Sequence, residues 1–434
     1  MSQTTPSLTR RGVLGAVGAG ALALTGAAAC APSAGGTGKA QSVSDDGVKN
    51  FTFTGWSLNE ASTKKALGDI VAGYQKSSGA KIKTVSYPYN DYLNQLLLQV
   101  RGGNATGAAQ CDAAWLATLK ATGKLTDLTR TAAGAGYTDA ALGLGKVGGV
   151  QYGLPWTAGA IGMVGNQQLF DKAGIKKIPT TVDDFEAMLE SLKALGNGIV
   201  PYAAMTKVDQ LKDIIPWMWT FGSPVVQNDK VTVGDDGSIE AVTWYKKLYD
   251  KKLIAPALDR FDARALFGQG KVGVYEDAPV GRGAVVAAAK NKDIEKQLVP
   301  FARPVAHAGD EPIAFAWGGV LVVLAGKGSG AAAKFARSVT ADTATQATYF
   351  AKTGNPPTTG KALADPKVAS DTFISQFSKR VTPTARTDPF WAYPQYAQIE
   401  QALATQVQAV LTGKSSPKQA MSDAREAMQK LVTS

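Results

Sequence analysis

Residues 51–87 read FTFTGWSLNEASTKKALGDIVAGYQKSSGAKIKTVSY, and this stretch decides the fold class. Apolar and polar residues alternate over residues 51–54, which is the period of a strand with one buried face. Apolar residues of the segment 67–74 then recur at helical spacing, and Gly79 follows them as a helix stop. Residues 81–87 are strand-like again. The stretch therefore predicts a strand, a helix and a second strand.

The same alternation continues to the end of the chain. Further strands are predicted at 112–116, 271–275 and 319–325, and further helices after Asn90, after Thr181, at 238–252, at 394–411 and after Ser416-Pro417. Strands that alternate with helices predict an α/β protein with largely parallel sheets. In such sheets ligands lie beyond the carboxyl ends of the strands, so the residues just after each strand are the candidates for function.

Composition limits the chemistry that the chain can perform. Its formal net charge is +11, but the basic residues are scattered, so we expect no nucleic acid partner. The only histidine is His307, so a Ser-His-Asp triad would need it and a His-rich metal site is impossible. The pattern G-x-G-x-x-G at 143–148 follows no strand and predicts a glycine-rich loop. We predict no metal, no cofactor and no enzyme activity.

The N-terminus has the pattern of an export signal. Residues 9–14 read TRRGVL, a weakly apolar run follows, and three alanines precede Cys30. This segment resembles a twin-arginine lipoprotein signal, which predicts a signal peptide at 1–29, a lipidated Cys30 and a flexible tether at 30–50. Plain cleavage and secretion is the alternative. Either route predicts a protein on the outer side of the cell membrane. The other cysteine, Cys111, is predicted to be a buried strand residue.

Tryptophans and carboxylates stand near the predicted strand ends and turns. Five tryptophans in such places offer flat apolar faces to the C–H face of a sugar ring, although each could instead pack in a core: Trp56, Trp115, Trp156, Trp317 and Trp391. The carboxylates near strand ends are Glu60, Asp112, Glu276 and Asp277. A facing pair could serve a glycosidase, whereas acceptors for sugar hydroxyls would have the same sequence pattern.

A set of short motifs follows in a fixed order. They are YGLP at 152–155, GMVGN at 162–166, LFDKAGI at 169–175, PTTVDDF at 179–185, FGQGKVGV at 267–274, WGG at 317–319 and YPQY at 393–396. In this order and spacing the chain resembles the extracellular solute-binding lipoproteins of ABC importers, in the carbohydrate-binding group that includes maltose-binding protein. The resemblance covers nearly everything after residue 50.

The resemblance implies two α/β lobes that are joined by crossing segments and close like a hinge on a ligand. It implies a lobe one of residues 51–160 with 278–317, and a lobe two of residues 161–277 with 318–434. The ligand contacts that it suggests are Trp56, Glu60, Asn90, Trp115, Trp156, Trp219, Glu276, Asp277, Trp317, Gly318, Gly319 and Trp391.

The sequence thus predicts a monomeric, lipid-anchored sugar receptor that delivers its ligand to the transmembrane subunits of an ABC permease. Arg282 and the positive charge leave room for an acidic sugar. A non-sugar solute such as a peptide or polyamine is the first alternative. A secreted carbohydrate hydrolase that uses Glu60 or Glu276 is the second, and a surface adhesion module that binds glycans without lobe closure is the third.

Overall fold

The computed structural model describes residues 40–433. The predicted signal peptide, Cys30 and the first part of the tether lie outside the described residues. The strands are β1 (Asn50–Thr54), β2 (Lys81–Val85), β3 (Gly107–Asp112), β4 (Lys146–Val147), β5 (Val150–Gln151), β6 (Gly153–Asn166), β7 (Val200–Ala203), β8 (Val226–Gln227), β9 (Lys230–Val231), β10 (Val272–Asp277), β11 (Leu298–Phe301), β12 (Ala314–Leu324) and β13 (Ala385–Arg386).

Helices fill most of the remaining chain. The α-helices are α1 (Lys64–Ser78), α2 (Tyr89–Arg101), α3 (Leu116–Lys120), α4 (Thr129–Ala132), α5 (Asp139–Leu144), α6 (Gln167–Lys172), α7 (Val182–Ala194), α8 (Ile215–Thr220), α9 (Asp236–Asp250), α10 (Arg260–Gly268), α11 (Gly281–Ala288), α12 (Ser329–Ala341), α13 (Thr343–Thr353), α14 (Gly360–Leu363), α15 (Pro366–Ala369), α16 (Thr372–Arg380), α17 (Tyr396–Leu411) and α18 (Pro417–Val432). Short 3-10 helices lie at Trp56–Leu58, Ala113–Trp115, Val208–Ile214, Lys292–Gln297, Thr382–Thr384 and Pro389–Ala392.

The first sheet has the strand order β2-β1-β3-β12-β6. β1 runs parallel to β2 and to β3, as the alternating pattern predicts. β12 runs antiparallel to both β3 and β6, with Val320 opposite Cys111 and Leu321 opposite Leu154. We call this sheet and the helices packed on it lobe one. Cys111 is fully buried in it, which confirms the prediction of a buried strand residue.

The second sheet is built on the far half of β6. There Val164 pairs with Tyr275 of β10, and Gly165 pairs with Val299 of β11. β10 also runs parallel to β7. This sheet and its helices form lobe two. Its core contains Trp217, which packs between Phe185 at 5.9 Å and Trp244 at 4.6 Å. The 14-residue strand β6 therefore belongs to both sheets.

The strand pairing differs from the predicted lobe boundaries in two segments. β11 falls within the range 278–317 that the prediction gave to lobe one, yet it pairs with the lobe-two half of β6. α12 falls after residue 318, in the predicted lobe two, yet its Phe335 packs on Phe51 and Phe53 of β1 at 5.7 and 5.1 Å. The reason is the antiparallel course of β12, which carries the chain back to lobe one near residue 318 rather than away from it.

Local signals set several element ends. α1 stops at Gly79, which has a φ of +70° as a helix C-cap glycine requires, and the Ser416 hydroxyl caps α18 by accepting from Gln419 N at 3.3 Å. Both predictions are confirmed. The helix predicted after Asn90 is α2, but it begins earlier, because Pro88 holds the cap position and Asn90 lies inside the first turn.

The strand predicted at 112–116 is also misplaced. β3 ends at Asp112, whose carboxylate accepts a hydrogen bond from Ala114 N at 3.1 Å and starts the 3-10 helix Ala113–Trp115. Residues 143–148 span the end of α5 and the strand β4, so they do not form the strand–loop–helix arrangement of a dinucleotide site. Across residues 40–433, the helices are too short or too polar to cross a membrane.

Candidate ligand-binding site

A cavity of about 930 Å³, part of it open to solvent, lies between the two lobes. Lobe one contributes the segments that follow β1 and β3, the start of α2, and the middle of β6 and β12. Lobe two contributes the 3-10 helix Val208–Ile214, the first turns of α10, the end of β10 and the segment around Trp391. These positions agree with the expectation that functional residues follow strand ends.

Trp56 forms part of the lobe-one wall of the cavity. Because β1 ends at Thr54, the chain turns into a 3-10 helix that places this indole at the cavity, where it is 7% exposed. Its edges and faces meet Tyr89 at 5.5 Å, Tyr92 at 5.1 Å and Trp115 at 5.7 Å. The ring is therefore held in one orientation by packing, which suits a rigid contact surface for a ligand.

Trp317 differs from the other indoles that line the cavity, because it contacts no other aromatic ring of the described chain. It lies on β12, opposite Gly159 of β6, and it is only partly buried. Within residues 40–433 it takes part in none of the aromatic ring pairs, whereas Trp156 stacks on Tyr349 at 5.1 Å. The Gly318 that follows has no room for a side chain, because a Cβ there would overlap Leu144. Trp317 thus offers a ring face that no other ring of the described chain covers.

A second aromatic group lines the cavity from β12 and the C-terminal part of lobe two. Trp219 stacks on Phe315 at 5.7 Å, and Trp391 meets the same phenylalanine edge-on at 5.9 Å. Phe315 and Trp391 line the cavity. The indole N–H of Trp391 is buried and has no hydrogen-bond partner in the described chain. A buried donor without an acceptor costs free energy, and a ligand oxygen could accept from this N–H only if the indole moved.

Ion pairs fix the basic side chains of the cavity. Arg264 donates to both carboxylate oxygens of Asp277, at 2.7 and 2.9 Å. Arg260 pairs with Asp213, and Lys212 pairs with Glu400 at 2.9 Å. These charges are buried, and each cation already has a carboxylate of this chain as its partner.

Two other carboxylates of the cavity lack such partners. Burial raises the pKa of Glu60, and the positive charge of Arg264 opposes that shift without forming an ion pair. Within the described chain, the Asp112 carboxylate accepts from two neutral donors, Ala114 N at 3.1 Å and the Tyr89 hydroxyl at 2.9 Å. Burial raises its pKa too, and the charge of Lys212 is the largest opposing influence. Both groups have acceptor capacity left for donors of a ligand.

The comparison with protein families decides the identity of the chain. A family profile described as bacterial extracellular solute-binding protein matches residues 69–374, which is more than half of the chain. The chain belongs to this family.

Relatives agree with that assignment. A Brucella abortus (strain 2308) protein that is named only as a binding protein is 34% identical over 137 residues, which is 30% of this chain and 33% of that protein. The match thus spans about a third of the length of that relative. The diacetylchitobiose binding protein DasA of Streptomyces coelicolor is 25% identical over 338 residues, 73% of this chain and 75% of its own.

A solved structure shows the same fold. The GacH receptor of Streptomyces glaucescens superimposes with a TM-score of 0.80, at 22% identity, over 89% of this chain and 99% of its own. The predicted fold class, an α/β protein with two lobes of the periplasmic-binding-protein type, is confirmed.

Eight of the twelve predicted contacts line the cavity of this solute-binding protein. They are Trp56, Glu60, Trp156, Asp277, Trp317, Gly318, Gly319 and Trp391. Their elements are distant in sequence, and the crossing strands β6, β10 and β12 bring them together.

The other four predicted contacts lie elsewhere. Asn90 and Trp115 line a neighbouring groove between α2 and α17, where Trp115 supports Trp56 from behind. Trp219 packs against Phe315 and beneath the guanidinium of Arg386, at 4.9 Å. None of these three side chains lines the cavity itself.

Glu276, the fourth of these residues, lies in the core of lobe two and not at the cavity. It is 2% exposed, and its carboxylate oxygens accept from Arg303 at 2.7 and 3.1 Å and from the indole of Trp217 at 3.1 Å. The hydroxyl of Tyr202 donates to it as well. Successive side chains of a strand point to opposite faces, so Asp277 faces the cavity and its neighbour Glu276 faces the core of lobe two.

Sequence reasoning missed most of the polar lining. The sequence places Asp112 near a strand end but does not predict it as a contact, because the predicted strand 112–116 lies later in the chain than β3. Arg260 and Arg264 are four residues apart on α10 and so share one face. The helix start was readable, since Asp259 and Asp262 form a capping box. Nothing in the sequence shows that this face looks toward lobe one.

Proposed function

We propose that this protein is the extracytoplasmic substrate-binding component of an ABC importer and that its ligand is a sugar or oligosaccharide. The observation that carries the proposal is the convergence of four indoles on one cavity between two lobes. Trp56, Trp156, Trp317 and Trp391 come from separate parts of the chain and line the same space.

The chemistry of the lining suits a saccharide. Flat aromatic faces pack against the C–H faces of sugar rings, and polar groups between them bind hydroxyls. Trp317 supplies the open ring face, and the polar side chains of Gln110, Asn355, Glu60 and Asp112 line the same cavity. In the closed form both walls would contact the ligand, so the closed form would bind it more tightly than the open form. Ligand binding would therefore shift the open–closed equilibrium toward the closed form.

Two named relatives favour this ligand class. DasA is named for diacetylchitobiose, and the GacH receptor was solved in complex with acarbose and an acarbose homolog. Binding without conversion is the role we propose. The hydrolase alternative with Glu276 loses its support, because that carboxylate is committed to Arg303.

The proposed setting follows from the N-terminal pattern. We place the mature protein on the outer face of the cell membrane, attached through a lipid on Cys30 after export by the twin-arginine route. There it would act as a monomer and pass its ligand to the transmembrane permease subunits.

A thermal-shift screen of residues 31–434 tests the proposal. The panel contains mono- and oligosaccharides, amino acids and polyamines, and each ligand is recovered afterwards to check that it is unchanged. Ligand at 100 times its Kd should stabilise the protein by about 2.7 kcal/mol. We expect a concentration-dependent rise in Tm with a saccharide that is recovered intact. A response to amino acids or polyamines alone would contradict the ligand class, and a consumed sugar would contradict the binding role.

A further inference from the structure

The charges that line the cavity do not balance. Three cations face it, and each is held by a carboxylate of the chain: Arg264 by Asp277, Arg260 by Asp213 and Lys212 by Glu400. No cation of the lining is left to bind an anionic group of a ligand.

Two carboxylates remain after this pairing. Within residues 40–433, no cationic group comes within 4.0 Å of the carboxylate of Glu60 or of Asp112. Asp112 accepts a backbone N–H and a phenolic O–H, both neutral, and it is 6% exposed. Glu60 is partly buried and lies on the same cavity. The lining therefore holds two carboxyl groups without an ion-pair partner in the described chain, although the chain as a whole carries +11.

Arg282 does not alter this balance. Its guanidinium pairs with Asp371 at 2.7 Å and packs over the ring of Phe373 at 5.3 Å. It is not among the residues that line the cavity. The expectation that Arg282 could receive an acidic sugar thus has no support in the geometry.

We propose that the cavity selects a saccharide without any anionic group, one that presents hydroxyl or amino protons to Glu60 and Asp112. This inference rests on the proposed saccharide function. A carboxylate on the ligand would lie beside two acidic side chains whose nearest cations, Arg264 and Lys212, are already paired with Asp277 and Glu400, in a partly dry space where screening is weak. A hydroxyl or ammonium group at the same place donates to them instead.

Matched sugars that differ only in their amino or carboxylate groups test this selection. The triplets are glucose, glucosamine and glucuronic acid, the galactose equivalents, and cellobiose, chitobiose and cellobiouronic acid. Their affinities are measured by calorimetry with the mature protein at neutral pH and constant ionic strength. In any triplet that binds, we expect the uronic acid to bind roughly tenfold or more weakly than the hydroxyl or amino member, because like charges repel across a desolvated interface.

The outcomes separate this inference from the proposed function. A uronic acid that binds as tightly as its neutral partner overturns the charge selection and leaves the saccharide function standing. If no saccharide in the thermal-shift panel binds, the saccharide function fails and this inference fails with it.

A pair of variants assigns the selection to the cavity. Glu60→Gln removes one of the two unpaired charges and should narrow the neutral-to-uronic affinity ratio roughly tenfold. Glu240→Gln makes the same charge change on the exposed surface of α9 and should leave the ratio unchanged. A ratio that is equal in wild type and Glu60→Gln, with both proteins folded by circular dichroism, would overturn the role of Glu60.

Discussion

Glu276 and Asp277 are neighbours on β10, and they show two different uses of a buried carboxylate. Glu276 faces the core of lobe two, where Arg303, Trp217 and Tyr202 occupy its oxygens. Asp277 faces the cavity and orients Arg264. In the core, an ion pair and hydrogen bonds occupy the oxygens of Glu276, so this carboxylate contributes to the stability of the fold. At the cavity, Glu60 and Asp112 have no ion-pair partner in the described chain, and their remaining acceptor positions can bind donors of a ligand.

The largest expected effect comes from removing one partner of the buried ion pair between Glu276 and Arg303. Glu276→Ala leaves the charge of Arg303 buried without a partner, which should lower the free energy of unfolding by about 3–5 kcal/mol. Urea denaturation of wild type and variant measures the difference. The double variant Glu276→Leu with Arg303→Met is the control, since it removes both charges and should recover much of the loss. Equal stability of Glu276→Ala and wild type would contradict the role of Glu276 as the stabilising partner of Arg303.

Asp388 is a third buried carboxylate, and only one of its two oxygens has a hydrogen-bond partner in the described chain. Asp388 is 1% exposed; its Oδ1 accepts from Phe390 N at 2.9 Å, and its Oδ2 has no partner in the described chain. Burial raises the pKa of Asp388 to about 7, the Phe390 N–H opposes this, and the charge of Glu400 adds to it. The carboxyl is thus favoured in its protonated form.

The sign of the pH effect follows from that shift. Because the folded-state pKa is above the unfolded one, the stability that Asp388 contributes is present in acid and is lost as the pH rises through about 7. From pH 5 to pH 8, wild type should lose about 2 kcal/mol of unfolding free energy relative to Asp388→Asn, which does not titrate. Parallel stability curves for the two proteins would show that folding does not raise the pKa of Asp388.

Trp317 tests the cavity side directly. Trp317→Ala removes a ring face that no other ring covers, so ligand affinity should fall by more than ~1 kcal/mol. Trp317→Phe keeps an aromatic face and should lose less. Calorimetry with the saccharide found in the screen measures both. Unchanged affinity in Trp317→Ala would assign this indole to packing.

The smallest expected effect on stability is at Glu60. Glu60→Gln should change the free energy of unfolding by less than ~1 kcal/mol, because the carboxylate has no ion pair to lose. Burial raises the pKa of Glu60, so we expect the change to favour the variant slightly at neutral pH. Urea denaturation of Glu60→Gln beside Glu276→Gln compares the two acids. A large loss of unfolding free energy in Glu60→Gln would show that Glu60 stabilises the fold as Glu276 does.

The fold could be predicted further than the site. Local signals such as the period of residues 51–54, Gly79 and the Ser416 cap act through neighbouring residues, so the sequence alone reveals them. The return of β12 to lobe one depends on strand order, which no local pattern encodes. Likewise, the facing of Glu276 depends on where β10 lies between β6 and β7. Trp56, Trp317 and Asp277 were predictable from their places near strand ends, but the cations on α10 were not.

The strand β6 has a thermodynamic consequence for the whole molecule. Its hydrogen bonds serve β12 of one sheet and β10 and β11 of the other, so neither sheet can lose its pairing without opening an edge of its neighbour. The two lobes should therefore melt as one cooperative unit, with a calorimetric enthalpy equal to the van't Hoff enthalpy. If the lobes close on a ligand as we propose, the protein would thus combine that motion with a single melting transition.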